Sequence, residues 1–328
     1  MDLYMKESVI CFAVGNADYL DPIIVATNSF AEYNPDIPLV VFLTDSSAKI
    51  FQDKIKLPNV TFRNCHNEQV IEFCKKHHDD FSPEAYAFSI DKMTDLFAAN
   101  YVLDVMVDEY RDKYEVLIRL DMDVIFVNSI LPSVEKFITS NYRIGGIPES
   151  QACCLYSPNK NYQRIYVAAY LNAGSLMFRL DDQTINDHLQ RSIDIIEHSD
   201  FRHFHYPDQD ALNNIYANTK SYDATADGWW IPMCNMGKTS TNMIFIHYAS
   251  TAKPFNYTDS NKLDHIFRDS YPYYLQQAKK YKCSDEFIHK LTAVIAMLRR
   301  DSVVARIDIE RLKFKVAFDV LMKNRGTS

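Results

Sequence analysis

The sequence predicts an α/β protein, Rossmann-like, with a mostly parallel sheet flanked by helices and a helical extension at its C-terminal end. Three features carry this expectation. Short apolar runs alternate with helical patterns from Ser8 onward, at spacings that suit strand–helix–strand units. The stretch Val116-Leu-Ile-Arg-Leu-Asp121-Met-Asp123-Val-Ile-Phe-Val127 is an apolar strand that runs into two carboxylates one residue apart. From Ser260 to the end the pattern is helical throughout.

Taken in order, Ser8 to Val14 is a buried-type strand closed by the turn Gly15-Asn-Ala-Asp18 and Tyr19. Asp21-Pro22 reads as N-cap and first-turn proline of a helix running to about Tyr33. Pro38 to Leu43 and Asn59 to Arg63 are further strands, and Glu68 to His77 is a helix. Ser82-Pro83 opens a long helical stretch that contains Lys92 and reaches roughly Tyr110. After the Asp-x-Asp strand come a helix near Ser133 to Ser140, a strand from Tyr142 to Ile147 ending in Pro148-Glu149, and a strand from Tyr170 to Phe178. A helix from about Asp182 to His198 follows, then one opened by Asp208 and Asp210 and reaching Ala217, then a last core strand from Met243 to Ile246. Ligands of such sheets bind beyond the carboxyl ends of the strands, where Gly15 to Tyr19 and Asp121 to Asp123 fall.

Composition narrows the function classes. With 328 residues, 47% hydrophobic, the chain can build one large domain with an appendage or two domains. A formal net charge of -8 argues against nucleic acid as a main partner, because phosphate backbones need a basic face. Seven cysteines without Cys-x-x-Cys spacing fit a reducing compartment. The start has no basic leader and no apolar run spans a bilayer, so a cytoplasmic location is expected. Glycine occurs only seven times, and neither GxGxxG nor GxxxxGK[ST] is present, so any bound nucleotide must have its charge met without a Gly-rich loop.

Side chains at i and i+2 of an extended strand share a side, so Asp121 and Asp123 can point at one spot. Two carboxylates there repel unless a cation sits between them, and a hard divalent ion such as Mg²⁺ or Mn²⁺ is the simplest one. The bland alternative is a solvated loop. Asp121, Asp123 and His247 offer two carboxylates and an imidazole to a metal, and Lys253 offers a cation to a diphosphate beside it. Asn172, Glu149, Asp208 and Gln209 offer groups suited to a hydroxyl-rich ligand. Each also has an ordinary reading: Asp208 and Asp210 as first-turn acids, Asn172 to Gly174 as a bulge, His247 as a core histidine. His203 and His205 read as solvated, and Cys153-Cys154 as two buried small residues.

Leu120-Asp-Met-Asp123, Leu171-Asn-Ala-Gly174, Tyr206-Pro-Asp-Gln-Asp210-Ala-Leu-Asn213 and His247-Tyr-x4-Lys253-Pro-Phe255, in this order, resemble the retaining glycosyltransferases of family 8 over most of residues 8 to 256. That family includes glycogenin and bacterial lipopolysaccharide galactosyl- and glucosyltransferases. The resemblance implies a GT-A domain over 1–258 with a helical extension over 259–328, a UDP-sugar donor, and Mn²⁺ (or Mg²⁺) held by Asp121, Asp123 and His247. It implies contacts to the nucleotide sugar from Ala13, Tyr19, Lys92, Asp121, Asn172, Ala173, Gly174, Ser250 and Lys253. Gln209, Asp208 and Glu149 would serve at the transferred sugar. Ser250 stands where the family commonly has glycine, and Val14-Gly15-Asn16-Ala17-Asp18 where acidic residues are usual.

The expected activity is transfer of galactose or glucose to a saccharide acceptor, such as a bacterial lipopolysaccharide or another surface glycan. Two alternatives stand beside it: a phosphohydrolase of the haloacid dehalogenase type, which also places Asp-x-Asp after a strand, and a non-catalytic nucleotide-sugar-binding protein. Between Leu298 and Arg325, Arg299, Arg300, Arg306, Arg311, Lys313, Lys315, Lys323 and Arg325 interleave with apolar residues. This amphipathic segment suits either peripheral contact with an anionic membrane carrying a lipid-linked acceptor, or a cap on the protein's own core.

Overall fold

The computed structural model describes residues 7–81, 88–148, 153–154, 164–165, 170–183, 185–198, 204, 206–230, 243–249, 253–255 and 270–301. They fall into two compact units, each assembled from three stretches of chain. The first lies within Met1–Asp18, Ile37–Asp121 and Ser133–Asp223, the second within Tyr19–Asp36, Met122–Pro132 and Ala224–Ser328.

The first unit holds a seven-stranded sheet. Its strands are β1 (Glu7–Gly15), β2 (Leu39–Leu43), β3 (Val60–Asn64), β4 (Tyr114–Leu120), β6 (Ile144–Pro148), β9 (Leu171–Arg179) and β10 (Ser221–Asp223), in the order β10-β6-β9-β4-β1-β2-β3. β1 is parallel to β2 and β4, and β2 to β3, as the alternating pattern predicts. β9 runs antiparallel to both β4 and β6. The helices of this unit are α2 (Ala48–Lys54), α3 (Glu68–His77), α4 (Ile90–Tyr110), α5 (Leu131–Thr139), α6 (His188–Glu197) and α7 (Pro207–Ile215), though the first residues of α5 belong to the second unit. Val102, Leu103 and Met106 of α4 pack with Phe12, Phe42 and Phe178 of the sheet. Phe73 of α3, Phe97 of α4 and Ile193 of α6 form a second apolar cluster. Cys153–Cys154 and Arg164–Ile165, β7 and β8, pair as a short antiparallel ribbon.

The second unit contains α1 (Leu20–Tyr33) and a three-stranded sheet of β11 (Trp229–Trp230), β12 (Phe245–His247) and β5 (Val124–Phe126). α8 (Tyr271–Lys280) and α9 (Asp285–Asp301) complete it. Its core gathers Val25 of α1, Ile125, Ile246, Tyr248, Phe255, Tyr271, Tyr274, Phe287 and Leu291. Among the described residues, no helix is long and apolar enough to cross a membrane.

Several expectations need correction. Asp21 lies inside the first turn of α1, with Tyr19 at the cap position, and its carboxylate accepts hydrogen bonds from Ser284 N–H at 2.8 Å and Ser284 Oγ at 2.6 Å. The long helix begins at Ile90, where Ser89 accepts from Lys92 N–H, while Ser82 and Pro83 lie outside the described residues. α6 begins at His188, after Asp187 turns left-handed at φ 54°. The Asp-x-Asp stretch is not one strand: β4 ends at Leu120, and β5 pairs antiparallel with β12, the strand carrying His247, in the three-stranded sheet.

Candidate active site

In the first unit the site grows from the end of β4. Asp121 follows the last residue of that strand, and its N–H donates to Gly174 C=O on β9 at 2.8 Å. β9 therefore lies alongside Asp121, with Asn172, Ala173 and Gly174 leading up to this contact. Gln209, in the first turn of α7, ties this edge down. Its Oε1 accepts from Ala173 N–H at 2.8 Å and from Asn172 Nδ2 at 3.4 Å, and its Nε2 donates to Tyr170 OH at 3.0 Å. Tyr170 OH donates in turn to Asp210 Oδ1 at 2.8 Å, and Asn172 Oδ1 accepts from Gly174 N–H at 3.0 Å. An amide suits the position of Gln209 because it must both accept and donate.

Asp208 is 4% exposed and its Oδ2 accepts from Arg119 at 3.0 Å. Burial pushes its carboxyl up from the ordinary value, against the opposing charge of Arg119 and with a further upward push from Asp121. Ala13 is wholly buried in β1, in register with Val41 and Leu120. Lys92 sits half-buried in the first turn of α4, near Asp95. The Asp95 carboxylate accepts from Asn16 Nδ2 at 2.6 Å and Thr44 Oγ1 at 2.5 Å, fastening the ends of β1 and β2 to α4.

In the second unit Asp123 is 3% exposed and His247 1%. Asp123 Oδ1 and His247 Nε2 approach to 3.1 Å. Lys253 Nζ lies 2.5 Å from Asp123 Oδ2 and 5.5 Å from the centre of the Tyr19 ring, which packs edge-on against Phe255. Burial alone would push the Asp123 carboxyl up, but the charges of Lys253 and His247 outweigh it and hold the group well below the usual carboxylate range. Tyr248 N–H donates to Asp123 C=O at 2.9 Å, continuing the pairing of β12 with β5 that fixes both side chains.

Among the described residues, Asp121, Asp123 and His247 are the candidate group for a metal ion. A buried carboxylate oxygen and imidazole nitrogen 3.1 Å apart suit a divalent cation, and the single residue between Asp121 and Asp123 tethers the third ligand to them through the chain. Glu149, Ser250, His203 and His205 lie outside the described residues, as do the side chains of Cys153 and Cys154. Reading the sequence did not single out Arg119, Tyr170 or Asp95. Arg119 had a legible signal: a lone cation two residues before Asp121, on the same side of the strand and within the otherwise apolar run of residues 116–120.

The description "Glycosyl transferase family 8" matches residues 10–259. The chain belongs to this family. The phosphohydrolase alternative falls with that match, and the chain is a glycosyltransferase. Its fold is similar to that of the galactosyltransferase LgtC, solved in complex with donor and acceptor sugar analogs: 18% identity over 86% of this chain and 99% of that one, TM-score 0.61. The WbbM bifunctional glycosyltransferase gives 12% identity over 90% of this chain and 53% of that one, TM-score 0.53. The glycosyltransferase GlyE of Streptococcus pneumoniae TIGR4 gives 15% identity over 92% and 67%, TM-score 0.51. A comparison with curated proteins finds no match. At these identities the likeness carries the fold, which is GT-A with a helical C-terminal region.

Proposed function

We propose that this family 8 glycosyltransferase moves a hexose, galactose or glucose, from a UDP-sugar to a saccharide acceptor of a bacterial lipopolysaccharide or other surface glycan. The reaction depends on Mn²⁺ or Mg²⁺ and retains anomeric configuration. The observation that carries this reading is the set Asp123, His247 and Lys253: a buried carboxylate and imidazole chemically fitted to a hard cation, with a partly exposed ammonium beside them fitted to a diphosphate. Asp121, Asp123 and His247 would hold the ion, which when bound supplies positive charge to the departing diphosphate.

The chain's own groups do the remaining work. Lys253 takes phosphate oxygens in exchange for Asp123, adding a fixed cation where negative charge grows. Asn172, Asp208 and Gln209 orient the sugar hydroxyls and stabilise its oxocarbenium-like centre, and Glu149 assists them. Ala13, Tyr19, Lys92, Ala173, Gly174 and Ser250 contact the rest of the donor. Gln209 is an amide and a poor nucleophile, so the acceptor hydroxyl attacks from the face the diphosphate leaves, and its proton passes to the departing phosphate oxygen. The catalytic domain spans 1–258; beyond it, the basic residues from Arg299 to Arg325 give peripheral contact with the cytoplasmic face of a membrane bearing a lipid-linked acceptor.

The test is hydrolysis of a donor panel by the purified protein, with and without Mn²⁺, beside Asp123→Ala. Metal-dependent turnover of one UDP-sugar that the substitution abolishes is the expected result. Failure to bind UDP with metal present, together with no turnover of any donor, would sink the reading.

A further inference from the structure

We infer that Arg119 is a positioning residue for sugar transfer, acting through Asp208 and not through the nucleotide. This rests on the proposed role of Asp208 at the transferred sugar. Arg119 projects from the same side of β4 as Asp121 and is 3% exposed. Its guanidinium donates to Asp208 Oδ2 at 3.0 Å and to Asn100 Oδ1 at 3.1 Å, and Asn100 Nδ2 donates to Ser192 Oγ at 3.1 Å. Asn100 and Ser192 are wholly buried. A polar chain thus runs through the core from α6 across α4 and β4 to α7, and it ends on the carboxylate beside Gln209.

A buried ion pair is weak as a source of stability, because desolvating both charges costs about what their attraction returns. What it does supply is direction. A planar guanidinium held from behind by Asn100 offers its hydrogen-bond donors at fixed angles. With Oδ2 engaged there, the Asp208 carboxylate cannot turn, so the line along which its other oxygen meets a sugar hydroxyl is set before substrate arrives. Arg119 itself never touches substrate.

The test uses Arg119→Met and Arg119→Lys in the full chain, read as kcat and KM for donor turnover, Mn²⁺-dependent UDP affinity, and melting temperature. For Arg119→Met the expected result is UDP affinity within about twofold of the parent and kcat lower by about 100-fold, with KM moving less. Arg119→Lys recovers part of kcat. A kcat within about threefold of the parent overturns the inference, as does UDP affinity that falls in step with kcat, since either marks a merely structural arginine. Should Arg119→Met fail to fold, Asn100→Ala loosens the same guanidinium: kcat about tenfold lower with UDP affinity kept supports positioning, and unchanged kcat overturns it. The panel includes ADP-, GDP- and CDP-sugars, so an error in the UDP reading shows as turnover of another donor, on which Arg119 is scored in the same way.

Discussion

At Asp123, burial and neighbouring charge pull in opposite directions, and charge wins: Lys253 and His247 keep the carboxyl below its usual range. A folded value depressed below the unfolded one, about 3.9, means the stability from this pairing is present above that value and is lost only as pH falls through the lower folded one. Between about pH 5 and 8 the Asp123 carboxyl therefore adds no pH dependence of its own to the melting temperature. Asp123→Ala should lower metal-dependent turnover by about 1000-fold or more, measured as sugar release from the preferred donor. Lys253→Ala removes the one described cation beside Asp123 other than His247, and its UDP affinity should weaken about tenfold or more by titration calorimetry with Mn²⁺. The thiols run the other way. Burial pushes Cys65 up to about 11 and Cys74 and Cys283 up to about 12, and it pushes Cys11 up as well. A raised value leaves no thiolate at pH 8, so these four should resist maleimide in the native protein and react once it is unfolded, as read by peptide mapping. Labelling of Cys11 or Cys74 in the native state would contradict the packing described.

Within the elements, β6 shows how tightly the edge of the site is set. A Cβ on Gly146 would stand 2.8 Å from Ser175 C=O and 2.9 Å from Leu176 Cδ2. The backbone of β9 cannot yield without moving Asn172 to Gly174, so Gly146→Ala should destabilise the fold by about 1–3 kcal/mol, seen in denaturant melts. Gly145→Ala should cost less, because its contacts include the flexible end of Met177 at 3.1 Å. The same elements mark what local pattern could reveal. α3 occupies Glu68–His77 as expected, capped by Asn67, whose side chain accepts from Val70 N–H, and β1 stops at Gly15 as expected. α2 escaped notice: only Ala48 and Phe51 of its seven residues are buried, too little to leave a periodic signature. β12 reads from the sequence as a core strand, but three buried residues in a row do not say which sheet receives them. The carboxylates and His247 were legible from residue type and order, whereas the Gln209–Tyr170–Asp210 relay depends on β9 and α7 meeting across some 40 residues.

For the whole chain, the interleaving of two units is invisible to a local reading, since the crossings at Asp18–Tyr19 and Asp121–Met122 coincide with no linker. One consequence touches the tail. Leu291, Val294 and Ile295 of α9 are buried in the second unit's core, so truncation after Lys290 should lower the melting temperature and obscure any membrane effect. Truncation after Asp301 should keep donor hydrolysis and abolish binding to anionic liposomes in co-sedimentation, if the basic segment makes that contact. The contacts of α1 set the order of events during synthesis. Its Asp21 and Glu32 find Ser284 and Lys280, partners 263 and 248 residues later in the chain. The first four strands of the main sheet, by contrast, are complete once Leu120 has left the ribosome. At about 5–20 residues per second, α1 must wait on the order of ten seconds or more for these partners, with the β5 segment, through Phe126 on Phe30, as its early cover. A nascent chain arrested near residue 230 should therefore hold a protease-resistant sheet beside a cleavable α1, and it is at this stage that a holdase chaperone would find its target.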